Sequence, residues 1–170
     1  MKLASKTLLV SMLVLIPVLN CSAAVDTVVV NVEFVAPVTL ATNTNLNFGK
    51  LDLNMAAAET VIVNTADTVT ADAGANVIGG TPTSADLTVT ATAAQTVVIS
   101  VAQNTAGTYW AVSAFKCAYD GGAVTACNGA GYNVTSVASA VLKIGATLTG
   151  AGSAVAGVDN GSIDVTAVYQ

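Results

Sequence analysis

Val25-Asp-Thr-Val-Val-Val-Asn-Val-Glu-Phe-Val-Ala-Pro-Val38 is written for extended backbone. Val28, Val30, Val32, Phe34 and Ala36 fall on one face at the two-residue period of a β-strand. The opposite face, with Val29, Asn31, Glu33 and Val35, is mixed. Pro37 has no backbone N–H to give to a ladder, so pairing stops there or runs along an edge. A segment of this kind inserts one row of apolar groups into a core, whether that of its own domain or of another, since both have the same period.

The same alphabet continues downstream. The 170-residue chain is 54% hydrophobic but only 5% aromatic and 9% charged, so its apolar content is mostly Ala and Val interleaved with Thr, Ser and Asn. Such residues suit half-buried strands rather than helices. Strands are expected at Val38–Ala41, Leu46–Phe48, Thr60–Val63, Val69–Ala71, along the row Leu87, Val89 and Ala91, and at Thr96–Ala102, Trp110–Tyr119, Ala140–Leu148 and Ile163–Tyr169. Asn43-Thr-Asn45 and Gly79-Gly-Thr-Pro82 are expected turns, and 150–157 a Gly- and Ala-rich loop. Short strands at this spacing, with no helix and no constant repeat, predict an all-β sandwich or barrel, and the Ala, Val and Thr composition makes the sandwich the natural reading.

Upstream, Lys2 and Lys6 precede an apolar run from Leu8 to Leu19, and Ser22, Ala23 and Ala24 are small. That pattern is an export signal over residues 1–23, too short for a comfortable membrane span. Cys21 leaves a second reading, a lipid-anchored chain. In an oxidising compartment the remaining pair, Cys117 and Cys127, reads as a disulfide closing a short loop. The mature chain keeps Lys50, Lys116 and Lys143 against ten acids, with no arginine, for a net charge near −7. Without a basic stripe to neutralise phosphates, a nucleic-acid partner is excluded.

Catalysis has little to use. The chain lacks histidine, the usual general base, and no serine sits in a nucleophile elbow. Asp67, Asp72 and Asp86 lack the ligand spacing of a calcium loop and read as a solvated face. Gly79-Gly80 and Gly121-Gly122 read as turns, not phosphate loops. No enzyme activity, small-molecule substrate, metal or cofactor is expected. Tyr109, Trp110 and Tyr132 read as strand packing, with a sugar-binding surface as the side possibility.

The last stretch, Gly161-Ser-Ile-Asp-Val-Thr-Ala-Val-Tyr-Gln170, puts Ile163, Val165, Ala167 and Tyr169 on one face. Tyr169 is penultimate, and Gly157 is fourteenth from the end, counting Gln170 as the first. With the alternating N-terminal segment, these features make the chain resemble subunits of chaperone–usher pili, and Val25–Val38 is similar to the start of spore-coat and archaic-type pilins. It departs from many such pilins, which carry a cysteine near the position of Val38–Leu40. Leu46-Asn-Phe-Gly49, Gly145-Ala-Thr-Leu-Thr149 and the last ten residues also resemble a bacterial family of secreted, pilin-like domains without assigned function.

The pilin resemblance implies an Ig-like β-sandwich over 37–170, incomplete and completed by a donated N-terminal strand, here residues 24–36. Val28, Val30, Val32, Phe34 and Ala36 would be the inserted row. Gly157, Ile163, Val165, Ala167 and Tyr169 would border the acceptor groove and the chaperone-binding face. The implied partners are other copies or homologous subunits, a periplasmic chaperone and an outer-membrane usher. The implied location is the periplasm in transit, then the cell surface as a fimbrium. The competing expectation is that Val28–Phe34 completes its own sandwich, giving a secreted or lipid-anchored domain that binds a carbohydrate or protein.

Overall fold

β-Branched and hydroxylated residues at alternating positions produce strands throughout, and no helix occurs among the described residues. The computed structural model describes residues 27–72 and 77–170; the signal segment, Cys21 and the first residues of the donor-like segment lie outside them. The body, Phe34–Gln170, forms a unit separate from the residues before it.

Its strands are β1 (Thr39–Thr44), β2 (Lys50–Leu51), β3 (Thr60–Val63), β4 (Val69–Ala71), β5 (Val77–Gly79), β6 (Ala85–Thr90), β7 (Thr96–Thr105), β8 (Trp110–Tyr119), β9 (Thr125–Ala126), β10 (Tyr132–Thr135), β11 (Ser139–Gly150) and β12 (Ser162–Tyr169). One antiparallel sheet runs β1-β6-β11-β3-β4, with β8 on the other edge of β11 and β9 beyond β8. A second sheet has the order β10-β7-β12, and β2 and β5 form a small ribbon. The result is a β-sandwich. Val61, Leu87, Val89, Val112, Phe115, Leu142, Ile144 and Leu148 of the first sheet meet Val97, Ile99 and Val101 of the second in one buried core.

Strand β11 organises the large sheet. Along one edge it pairs first with β6, as far as Ile144 opposite Ala85, and then with β3, from Ala146 opposite Val63. Gly145 sits at the changeover, where a Cβ would lie 2.4 Å from the Val63 carbonyl oxygen and 2.8 Å from Asn64 Cα. Only glycine lets these backbones approach so closely. Gly145→Ala is therefore expected to lower the unfolding free energy by about 1–3 kcal/mol through overpacking, read as a fall in denaturant midpoint at constant slope.

The changeover is tied by Asp67, in the turn between β3 and β4. Its carboxylate accepts from the Ser84 amide (2.6 Å) and hydroxyl (2.7 Å), and pairs with Lys143 at 3.3 Å. The Ser84 bonds, helped by Lys143, hold this carboxyl below its ordinary value of 3.8. A lowered folded-state pKa adds stability above the unfolded value and loses it as pH falls through the folded one. Asp67→Asn is thus expected to flatten the loss of thermal stability as pH falls below the ordinary carboxyl value of 3.8, followed by melting on acidification.

Candidate functional site

The two sheets do not close on each other at one side. Among the described residues β12 pairs with β7 alone and β1 with β6 alone, so each offers an unpaired edge. β1 starts opposite Thr90 at the end of the sandwich where β12 finishes opposite Val97, so the two edges run in opposite directions. Ile163, Val165, Ala167 and Tyr169 point inward yet are only half-buried, while Val97, Ile99 and Val101 of the neighbouring β7 are fully buried. The β12 face lacks cover.

A cleft of about 1060 Å³ occupies this side. Its floor includes Met55, Leu87, Val112 and Leu148, which belong to the core itself. Its walls come from Thr42 and Thr44 of β1, Ile163 and Val165 of β12, the segment Asn45–Leu53, and the loop Ala154–Gly161. Around it Leu53, Ile78, Val155 and Val158 are exposed, the last at 88%. These exposed side chains lie beside a cleft that reaches the core, which makes this side of the sandwich the candidate site.

Local chemistry holds the 154–161 wall in place. Asp159 accepts from the backbone N–H groups of Thr108 (3.0 Å) and Tyr109 (3.1 Å), and these bonds keep its carboxyl below the usual range. Trp110 is clasped between two glycines, since a Cβ at Gly107 would lie 2.2 Å from its ring and one at Gly161 2.5 Å. Tyr109 and Trp110 line the cleft, whereas Tyr132 does not. The Tyr132 hydroxyl is buried without a hydrogen-bond partner among the described residues, and burial pushes its pKa up to about 12. The three aromatics expected as a possible sugar surface are therefore not brought together.

Of the expected groove residues, Gly157, Ile163 and Val165 line the cleft and Ala167 and Tyr169 do not. Tyr169 has a different task. Its hydroxyl donates to the Ala36 carbonyl (2.8 Å) and accepts from the Thr92 amide (2.7 Å), while the Ala36 amide donates to Thr92 Oγ1 (2.9 Å). This knot holds the chain just before β1 against the end of β12. Residues 27–38 belong to no strand. Phe34 is 92% exposed, and Val28, Val30 and Val32 of the expected donor row are exposed as well. Leu46, Phe48, Trp110 and Val158 line the cleft without having been singled out for it from sequence.

The acids expected to form a solvated face are largely exposed but engaged within the chain. Asp72 accepts from the Thr60 amide and hydroxyl, Asp86 from the Asn43 side-chain amide, and Asp67 ties the β11 changeover. Cys117 and Cys127 form a disulfide, and both are fully buried.

Residues 38–169 match the model of a family described as a domain of unknown function, DUF4402, and the chain belongs to that family. The matched model is not that of a chaperone–usher pilin. No curated protein and no solved structure matches the chain.

Proposed function

We propose that this DUF4402 protein is an exported structural subunit whose N-terminal arm, residues 24–36, fills the cleft of a neighbouring copy. The observation that carries the reading is a pairing of surplus surfaces. Val28, Val30, Val32 and Phe34 form an exposed apolar row, and Leu53, Ile78, Val155 and Val158 stand exposed around a cleft that opens onto the core. An extended segment laid into such a cleft satisfies free backbone groups along a strand edge and buries alternate side chains. Each apolar side chain so buried contributes roughly 1.5–3 kcal/mol before ordering costs. A head-to-tail contact of this heterologous kind propagates into a filament unless its rotation closes a ring. The Ig-like character of the sandwich, export to the periplasm, a chaperone that covers the cleft before assembly, an usher and a surface location belong to the same proposal. Its chemistry is adhesion and architecture, without catalysis.

The test uses the exported full-length chain, run unboiled on denaturing gels and imaged by electron microscopy. A synthetic peptide of residues 25–36 is titrated in parallel against the emission of Trp110, the one tryptophan in the chain and a cleft residue. Detergent-resistant ladders or filaments, competed by the peptide, are expected. A monodisperse chain whose Trp110 ignores the peptide would replace this reading with a self-complete binding domain.

A further inference from the structure

The arm's root determines where the arm can go. Ala36 is the last arm residue and Thr39 the first of β1, so Pro37 and Val38 alone separate them. Were the whole arm to fold back into its own cleft beside β1, with Ala36 paired to Thr39, Ala36-Pro37-Val38-Thr39 would be a two-residue hairpin. The turns that match strand twist in such hairpins, types I′ and II′, both require positive φ at the first central position. Proline fixes φ near −65° and cannot adopt it. None of residues 36–38 has positive φ.

The other edge is closed to the arm by polarity and by hydrogen bonding. Because Ala36 is fixed at the end where β12 finishes, an arm reaching back along its own β12 would run parallel to it, whereas an arm from another copy is free to pair antiparallel. Both backbone groups of Ala36 are also already spent, the N–H on Thr92 Oγ1 and the carbonyl on the Tyr169 hydroxyl. A ladder along its own β12 would have to start by breaking them.

We infer that the Ala36–Val38 root, clamped by Tyr169 and Thr92, prevents capture of the arm by its own cleft and commits it to a second copy of the chain. The inference rests on the arm-in-cleft reading proposed above and adds its specificity for a neighbour. Tyr169 and Pro37 act as positioning residues, since neither needs to touch the inserted row.

Two full-length variants test it. The first, Pro37→Asn with Val38→Gly, installs the Asn-Gly pair that favours a type I′ turn. The second inserts Gly-Ser-Gly-Ser after Pro37, which keeps Val38 in its half-buried place and reads the same question if the first variant folds poorly. Both are expected to become monomers with at least a tenfold loss of ladder, and their Trp110 emission should no longer respond to the 25–36 peptide. Ladders of wild-type strength from the insertion variant would overturn the inference. So would a wild-type monomer whose arm resists proteolysis. Failure of the underlying reading looks different: a full-length chain with its own arm disabled by Val30→Asp and Val32→Asp would then not bind the peptide, which overturns this inference too.

Discussion

Val30→Asp combined with Val32→Asp is expected to abolish the detergent-resistant ladder and to leave the melting temperature of the chain unchanged. The two valines are exposed and in no strand, so the body does not depend on them, and exposed substitutions of this type usually stay within about 0.5 kcal/mol. In an assembled cleft they would be two of four buried anchors. Their loss removes roughly 1.5–3 kcal/mol each, and two unpaired carboxylates add a desolvation cost. At 1.4 kcal/mol per tenfold, binding should weaken at least a hundredfold. A complementary block, Val165→Trp, occupies the cleft wall from β12 and should stop a chain from receiving an arm while leaving it able to donate one. Neither variant alone should ladder. Mixed, they should give a single one-to-one dimer, because one supplies only an arm and the other only a cleft. A ladder from either variant alone, or a drop in melting temperature equal to that of a core mutation, would sink the arrangement.

The strands were legible wherever alternation ran long enough to declare itself. Trp110–Tyr119 has the same bounds in sequence and structure, and Thr96–Ala102 falls within β7, which continues to Thr105. Tyr132–Thr135 and Val77–Gly79 were not expected, since each adjoins glycines that read as turn or loop, Gly131 before the first and Gly79-Gly80 at the end of the second; their existence is decided by pairing with β7 and β2. The expected turn at Asn43–Asn45 begins late for a related reason, since β1 continues to Thr44 through a bulge that pairing with β6 supports. Leu46–Phe48 contributes only an isolated bridge from Asn47 to Thr83.

The cleft was half legible. Ile163 and Val165 announce themselves by period, and the inward face of β12 follows from that alone. Leu46, Phe48, Trp110 and Val158 come from three loop or strand-end segments whose convergence is a property of the tertiary fold, which no local pattern encodes. The knot at Tyr169 is further still from sequence reasoning, because it joins residues 133 apart. Yet once the knot is known, Pro37 changes meaning. In the sequence it stops a ladder; at the root of the arm it excludes the tight two-residue turn back along β1.

Replacing Cys117 and Cys127 together by alanine is expected to lower the unfolding free energy by about 3 kcal/mol, the chain-entropy value for so short a loop, with separation 10 in sequence. For a chain of this size that corresponds to a fall of roughly 6–12 °C in melting temperature. The position of the bridge explains why the loss should be felt by the whole sandwich. Cys117 lies on β8 of the large sheet. Cys127 accepts from the Val101 amide of β7 in the other sheet (2.7 Å) and donates to the Phe115 carbonyl (3.2 Å). The loop between them thus links the two layers at a fully buried point, and its release frees both. Neither cysteine lines the cleft, and neither touches the Ala36 root. The double variant should therefore melt earlier and still form ladders with a functional arm at temperatures where it stays folded. Intact stability with lost assembly would reverse that assignment and place the bridge in the interface, while loss of both together would mean that the cleft is held open by the same linkage that joins the sheets.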